Sequence, residues 1–173
     1  MALFVTQDTD MPKFQDLKKH AKGYEGVWLN GVALKFNGDE DAPMFDLVNE
    51  FDFSLEEGQT LPSQLVFGEL AEDASCLVAF YYHYKKDDRP AQTLVTFIWN
   101  PDGAKVKQRM LSAQCYGDFT NLFENSKKLD SIDDYETFTD KITDIIGKDH
   151  EETGCTKNAR KDKGKARDGS EIA

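Results

Sequence analysis

The chain has 173 residues, a hydrophobic fraction of 39% with twelve Phe, and a formal net charge of −11. These values fit one globular domain whose core is large enough to stand without disulfide or metal staples. The surplus of acid excludes generic nucleic-acid binding, because a negative surface repels phosphate backbones.

Met1 to Asp8 carries no basic n-region, and no apolar run approaches the roughly 20 residues that span a bilayer, so neither a signal peptide nor a membrane span is expected. The expected setting is soluble and intracellular. Asp10 is placed to cap a short helix with Pro12 in its first turn, and Phe14, Leu17 and Ala21 form its buried side. Val27-Trp-Leu and Val32 to Phe36 flank Asn30-Gly31, a pair suited to the positive φ angles of a type I′ turn, which predicts a hairpin centred there. Asn37 to Asp41 is an acidic turn without the ligand series of a calcium loop. Residues 43–60 mix apolar and acidic side chains with no clean period and receive no assignment.

Pro62 to Leu70 reads as a short helix with proline near its start. Cys76 to Tyr84 and Gln92 to Trp99 are β-rich and nearly continuously apolar, as expected of central strands covered on both faces, with a polar loop at 85–90. Asn100-Pro-Asp-Gly103 turns into a helix over 104–116. There Leu111, Cys115, Phe119 and Leu122 make one stripe and Val106, Met110, Ala113 and Gly117 the opposite one. Lys105, Lys107 and Arg109 are unaccompanied by acid between Gly103 and Gly117. An apolar ridge bracketed by Lys107 and Arg109 fits an acidic partner with an apolar cleft. The same pattern fits a helix buried on both sides with its cations snorkelling outward, and spacing alone does not separate the two.

Ser131-Ile-Asp-Asp134 reads as a capping-box variant leading a last helix through Tyr135, Phe138, Ile142 and Ile145, stopped by Gly147. The predicted division is a domain at 1–147 and a disordered, charged tail at 148–173. The tail's basic cluster at 157–167 has the composition of a nuclear-import or anionic-lipid patch, but its interspersed acids favour a solubilising role.

Catalytic signals are sparse. The glycines at 23, 26 and 31 match no phosphate-binding spacing. The three histidines, His20, His83 and His150, are isolated, and the three cysteines, Cys76, Cys115 and Cys155, have neither metal nor disulfide spacing and read as reduced thiols. His83 acting as a base for Cys76 or Cys115 is a distant enzymatic alternative; a structural histidine is the simpler reading. No cofactor or metal is expected.

Phe97-Ile-Trp-Asn-Pro-Asp-Gly-Ala-Lys-Val-Lys-Gln-Arg-Met-Leu-Ser-Ala113 resembles the signature of the actin-depolymerising factor/cofilin family, in which a strand ending in Trp turns into the actin-binding helix. Glu72 to Tyr82 resembles the family's acidic turn and central strand, and Phe14 to Lys18 its first helix. The resemblance spans residues 4–146 and is loosest across 37–60. It implies an α/β fold, a central mixed β-sheet sandwiched by helices in a single domain, and a non-enzymatic protein that binds actin. The implied monomer-binding residues are Val106, Lys107, Arg109, Met110, Gln114 and, in the N-terminal segment, Thr6. A weaker filament site falls on Arg89, Asp140 and Lys141, because Ala91 and Thr93 stand uncharged where the family's strand carries cations. No serine stands at the N-terminal regulatory position. The implied protein is a monomer of the cytoplasm and cytoskeleton, with nuclear entry allowed and phosphoinositides as further partners of its basic residues. The rival resemblance is to glia maturation factor, which acts on the branched-actin nucleating complex and lacks the paired helix cations that Lys107 and Arg109 supply.

Overall fold

A computed structural model describes residues 14–17, 29–38, 43–123 and 125–157. In chain order the elements are a helical turn at residues 14–17 (α1), β1 (Leu29–Gly38), β2 (Pro43–Thr60), α2 (Pro62–Glu69), β3 (Cys76–Lys86), β4 (Arg89–Trp99), α3 (Val106–Asn121), β5 (Lys127–Ile132), α4 (Tyr135–Ile146), β6 (His150–Glu152) and β7 (Cys155–Lys157). The sheet order is β5-β4-β3-β1-β2-β7, with β6 also paired to β3. All pairs are antiparallel except β4 with β5, which run parallel and are joined across α3. The sheet is therefore mixed, as the resemblance implied.

Strand alternation divides the core in two. Val78, Phe80 and Tyr82 of β3 face the layer that holds Val66 of α2 and Phe138 and Ile142 of α4. Leu77, Ala79 and Tyr81 face the other way, toward Phe14 and Leu17 of α1 and Cys115 and Phe119 of α3. Both faces of β3 are covered, which is why its sequence is apolar without a break. Phe67 locks the α2 layer: its ring stacks on Phe97 at 5.4 Å and meets Phe138 at 4.9 Å.

Several expectations are corrected. Asn30-Gly31 lies inside β1, where no positive φ occurs, and not at a hairpin tip. Gly31 pairs with Phe80, and a Cβ on it would stand 2.4 Å from the Phe80 Cβ. The glycine admits a neighbouring strand and turns nothing. The positive-φ pair of a tight hairpin is instead Asp87-Asp88 (φ 54° and 62°), so β3 and β4 extend to Lys86 and Arg89. The loop predicted at 85–90 shrinks to those two residues.

Residues 43–60 form one long strand, β2. Phe45, opposite Phe36, faces the α3 layer, whereas Phe51, opposite Gly31, faces the α2 and α4 layer. Both positions are odd-numbered, so regular pleating would put them on one face. The register shift between Ala33 and Leu34 inserts Val48 and reverses the parity, which erases the period in the sequence.

The cap of α4 is Asp134, whose Oδ1 accepts the Thr137 N–H at 2.7 Å, while Ser131 belongs to β5. Gly147 closes the helix at φ 113°, as its position predicts, but Ile146 is the buried residue of the last turn and Ile145 is exposed. The strands β6 and β7 lie within the segment read as an unstructured tail. Cys155 is buried, and Glu152 reaches Ser63 of α2. The folded body thus continues to at least Lys157. The expected cap at Asp10 and the loop residues 39–41 lie outside the described residues.

Candidate functional site

The turn between β4 and α3 hangs on four elements. Trp99 Nε1 donates to Ala71 O at 2.7 Å. Asn100 donates its N–H to Ile132 O (2.8 Å) and its Nδ2 to Ser131 Oγ (2.8 Å), and its Oδ1 accepts from Ser75 Oγ (2.7 Å). Ser75 Oγ also lies 2.9 Å from Ser112 Oγ, on the inner face of α3. Gly103 passes so close to the 72–73 backbone that a Cβ would meet Glu72 O at 2.6 Å. Asn100, half-buried at the end of β4, therefore ties the start of β3 to β5 and, through Ser75, to α3 at the root of the helix, and satisfied networks of this kind hold a single geometry.

From that root α3 lays Cys115 and Phe119 into the core, with Ser112 and Thr120 also buried. Its opposite face is open. Val106 is 70% exposed and Met110 57%, and Lys107, Ala113, Gln114 and Gly117 are exposed beside them. The helix is not buried on both sides: its outer face is exposed. Two neighbouring large apolar side chains on the open face of a helix are a candidate contact surface.

Arg109 turns back toward the root of the helix. Its Nη2 donates to Pro101 O at 2.9 Å and to Asp102 O at 3.0 Å, and its Nε is buried. The remaining candidates are distributed. Arg89 is exposed at the first position of β4, ten residues from Trp99, or about 33 Å along an extended strand. Asp140 is exposed on α4, and Lys141 is half-buried with its Nζ donating to Leu129 O at 3.1 Å. Thr6 lies outside the described residues.

Cys76 opens β3 and His83 stands seven residues further along it, so the strand does not bring them together. Burial raises the Cys76 thiol to about 11, against the thiolate character a nucleophile needs. His83 is buried, with its ring edge-on to Phe53 at 6.0 Å, a packing position.

Sequence reasoning missed a second polar cluster. Ser63 Oγ lies 2.6 Å from Glu152 Oε1 and 2.7 Å from Tyr135 Oη, and Ser63 N–H donates to Glu152 Oε2 at 2.8 Å. Tyr82 Oη lies 2.8 Å from His150 Nε2, and His150 Nδ1 lies 2.6 Å from Gly147 O. Burial pushes the Glu152 carboxyl up to about 7, although the two bonds from Ser63 pull it the other way. The cluster ties the C-terminal strands to α2 and α4. Its one signal in the sequence is an isolated Cys155 and Gly154 within a charged segment.

The layered mixed sheet, with one long helix entering from the central hairpin, is the fold of cofilin-like domains. The Streptomyces griseoflavus cofilin structure shares it at a TM-score of 0.59 with 16% identity, covering 83% of this chain and 96% of that one. Plasmodium berghei actin depolymerization factor 2 matches at 0.64 with 15% identity (84% and 97% covered), and Entamoeba histolytica coactosin at 0.60 with 15% identity (83% and 94% covered). No curated protein is similar enough in sequence to count as a relative. The sequence profile described as cofilin/tropomyosin-type actin-binding protein matches residues 8–144, and the chain belongs to that family. Its members are actin-binding proteins, not enzymes, and the family suggests association with the cytoskeleton. Among the described residues no helix is long and apolar enough to cross a membrane.

Proposed function

We propose that this protein binds actin monomers through the outer face of α3 and promotes filament turnover, with weak filament binding and severing. The observation that carries this reading is the exposed Val106–Met110 ridge beside Lys107 on a helix whose other face is core. The ridge supplies Val106, Met110 and Gln114 for an apolar cleft, Lys107 beside it brings positive charge in an otherwise acidic body, Arg109 stands at the root of the same helix, and Thr6 belongs to the same contact. The protein acts by preferring one conformation or nucleotide state of the actin subunit, which displaces the polymerisation equilibrium without chemistry.

The filament contact is assigned to Arg89, Asp140 and Lys141. It is weak because Ala91 and Thr93 bring no charge and Lys141 is engaged with Leu129 O. The same uncharged strand favours, as a second reading, a glia-maturation-factor-like action on the branched-actin nucleating complex; the cations of α3 speak against it. We place the protein in the cytoplasm and cytoskeleton as a monomer. Phosphoinositide headgroups would compete for its exposed cations, and the basic cluster at 157–167 leaves nuclear entry open.

Fluorescence titration of labelled actin monomers, alongside co-sedimentation with filaments, tests the assignment. Val106→Ser with Met110→Ser should weaken monomer binding at least tenfold while the melting temperature holds, since both side chains already face water. Undiminished monomer binding by this variant would remove α3 from the contact.

A further inference from the structure

The first turn of α3 breaks the usual rules for a helix start. Its N-cap, Lys105, makes no side-chain cap hydrogen bond, and no acid stands in the first turn. The early positions instead carry Lys107 and Arg109, cations at the positive end of the helix dipole, where acids are favoured. The preceding turn is anchored at its start by Asn100, but beyond it Pro101 has no N–H to donate and Gly103 is threaded against Glu72 O. A local violation needs a compensating interaction elsewhere.

Arg109 supplies one. Its Nη2 donates both hydrogens, one to Pro101 O and one to Asp102 O, at 2.9 and 3.0 Å. Pro101 O also accepts the Ala104 N–H at 3.0 Å, so the guanidinium reinforces the turn that leads into the helix. The Arg109 Nε is buried and faces no acceptor. For Arg109 to reach outward to a partner, both carbonyl bonds would have to break.

We propose that Arg109 is a positioning residue: it clamps the 100–105 turn onto the first turn of α3, sets where Val106 and Lys107 stand, and does not itself meet actin. This deepens the actin-binding reading above and rests on it for its functional consequence. Charge complementarity toward actin then falls to Lys107. Arginine suits the clamp because its planar fork meets two acceptors at once, whereas lysine offers a point charge on a flexible stem.

Three variants separate a clamp from a contact: Arg109→Met, which keeps the stem but no donor, Arg109→Lys, which keeps the charge, and Lys107→Met. Two readouts are needed: hydrogen exchange at the Ala104 amide in the free protein, and monomer affinity across a salt series. Arg109→Met should speed Ala104 exchange about tenfold, the scale of one or two lost hydrogen bonds. It should weaken monomer binding several-fold and leave the salt dependence as in the wild type. Arg109→Lys should also bind more weakly than wild type despite its retained charge. Lys107→Met should flatten the salt dependence and leave Ala104 exchange unchanged.

Unchanged Ala104 exchange in Arg109→Met, or full binding by Arg109→Lys together with a flattened salt dependence in Arg109→Met, would overturn the proposal. A wild-type protein that binds no actin would instead overturn the reading beneath it, while Ala104 exchange would still decide whether Arg109 holds the turn.

Discussion

The Glu152 carboxylate closes on Ser63 from both oxygens, one on the backbone N–H at 2.8 Å and one 2.6 Å from the hydroxyl. The two residues are 89 positions apart in the chain, so this pair fastens the C-terminal strands to the start of α2. Tyr135 joins through the same hydroxyl, which adds α4 to the fastening.

Because burial raises Glu152 from 4.5 to about 7, the folded state holds its proton more tightly than the unfolded chain does. The contribution is complete below about pH 4.5 and is lost as pH rises through about 7. Between pH 6 and 8 this group alone should cost about 1 kcal/mol of stability. Glu152→Gln keeps a neutral side chain of the same shape and should remove that slope. Urea melts of both proteins at the two pH values measure it, and an equal slope in the variant would show that another group titrates.

The strands β6 and β7 carry a second consequence. A chain ended at Gly147 loses the Glu152 bonds, the β6 pairing with Tyr84 to Lys86 and the buried Cys155. Its melting temperature should fall by about 5–15 °C, since a few kcal/mol shifts a domain of this size by that amount. A chain ended at Lys157 should melt with the full-length protein, because residues 158–173 are nearly devoid of apolar side chains. Calorimetry of the three lengths compares them directly.

Gly31 and the Asp87-Asp88 pair make opposite predictions for two turn-like sequences. Gly31→Ala would place a Cβ 2.4 Å from Phe80 Cβ inside the sheet and should cost about 1–3 kcal/mol by overpacking. Asp87→Asn with Asp88→Gly puts preferred residues at positive φ and should gain a few tenths to about 1 kcal/mol. Chemical denaturation reads both; a harmless Gly31→Ala would mean that β1 and β3 do not approach as described.

Ala91 is exposed and Thr93 half-exposed on β4, toward the Arg89 end and away from the Trp99 end that leads into the Val106 turn of α3. Ala91→Arg with Thr93→Lys should therefore raise filament binding and severing while monomer affinity stays within about twofold. Wild-type filament binding should itself fall steeply with salt, as expected for exposed ion pairs. Microscopy of labelled filaments decides both; vigorous severing by the wild type at ordinary salt would show that the filament contact uses other residues.

Local patterns reveal what depends on near neighbours in the chain. The two faces of α3, the covered strands β3 and β4, the start of α2 at Pro62 and the stop at Gly147 are all legible within a turn or two of sequence, because one stretch of backbone decides which side chains share a face. The Val106–Met110 ridge belongs to this class. That it is open to solvent was beyond the pattern, since spacing counts stripes and does not say which stripe meets a sheet.

Tertiary structure alone decides the rest. Asn-Gly at 30–31 has the chemistry of a hairpin turn, yet the approach of Phe80 makes Gly31 a strand residue. Val48 hides β2 by shifting its parity against a partner strand. The β5 segment Lys127–Ile132 offers only two buried side chains, Leu129 and Ile132, and becomes a strand by pairing with β4. Arg109 reads as a surface cation until its two carbonyl acceptors are in place, and Glu152 as a tail residue until Ser63 meets it from 89 positions away. A hydrogen bond, a bulge or a close approach is a relation between two segments, and its energy exists only once both are in position.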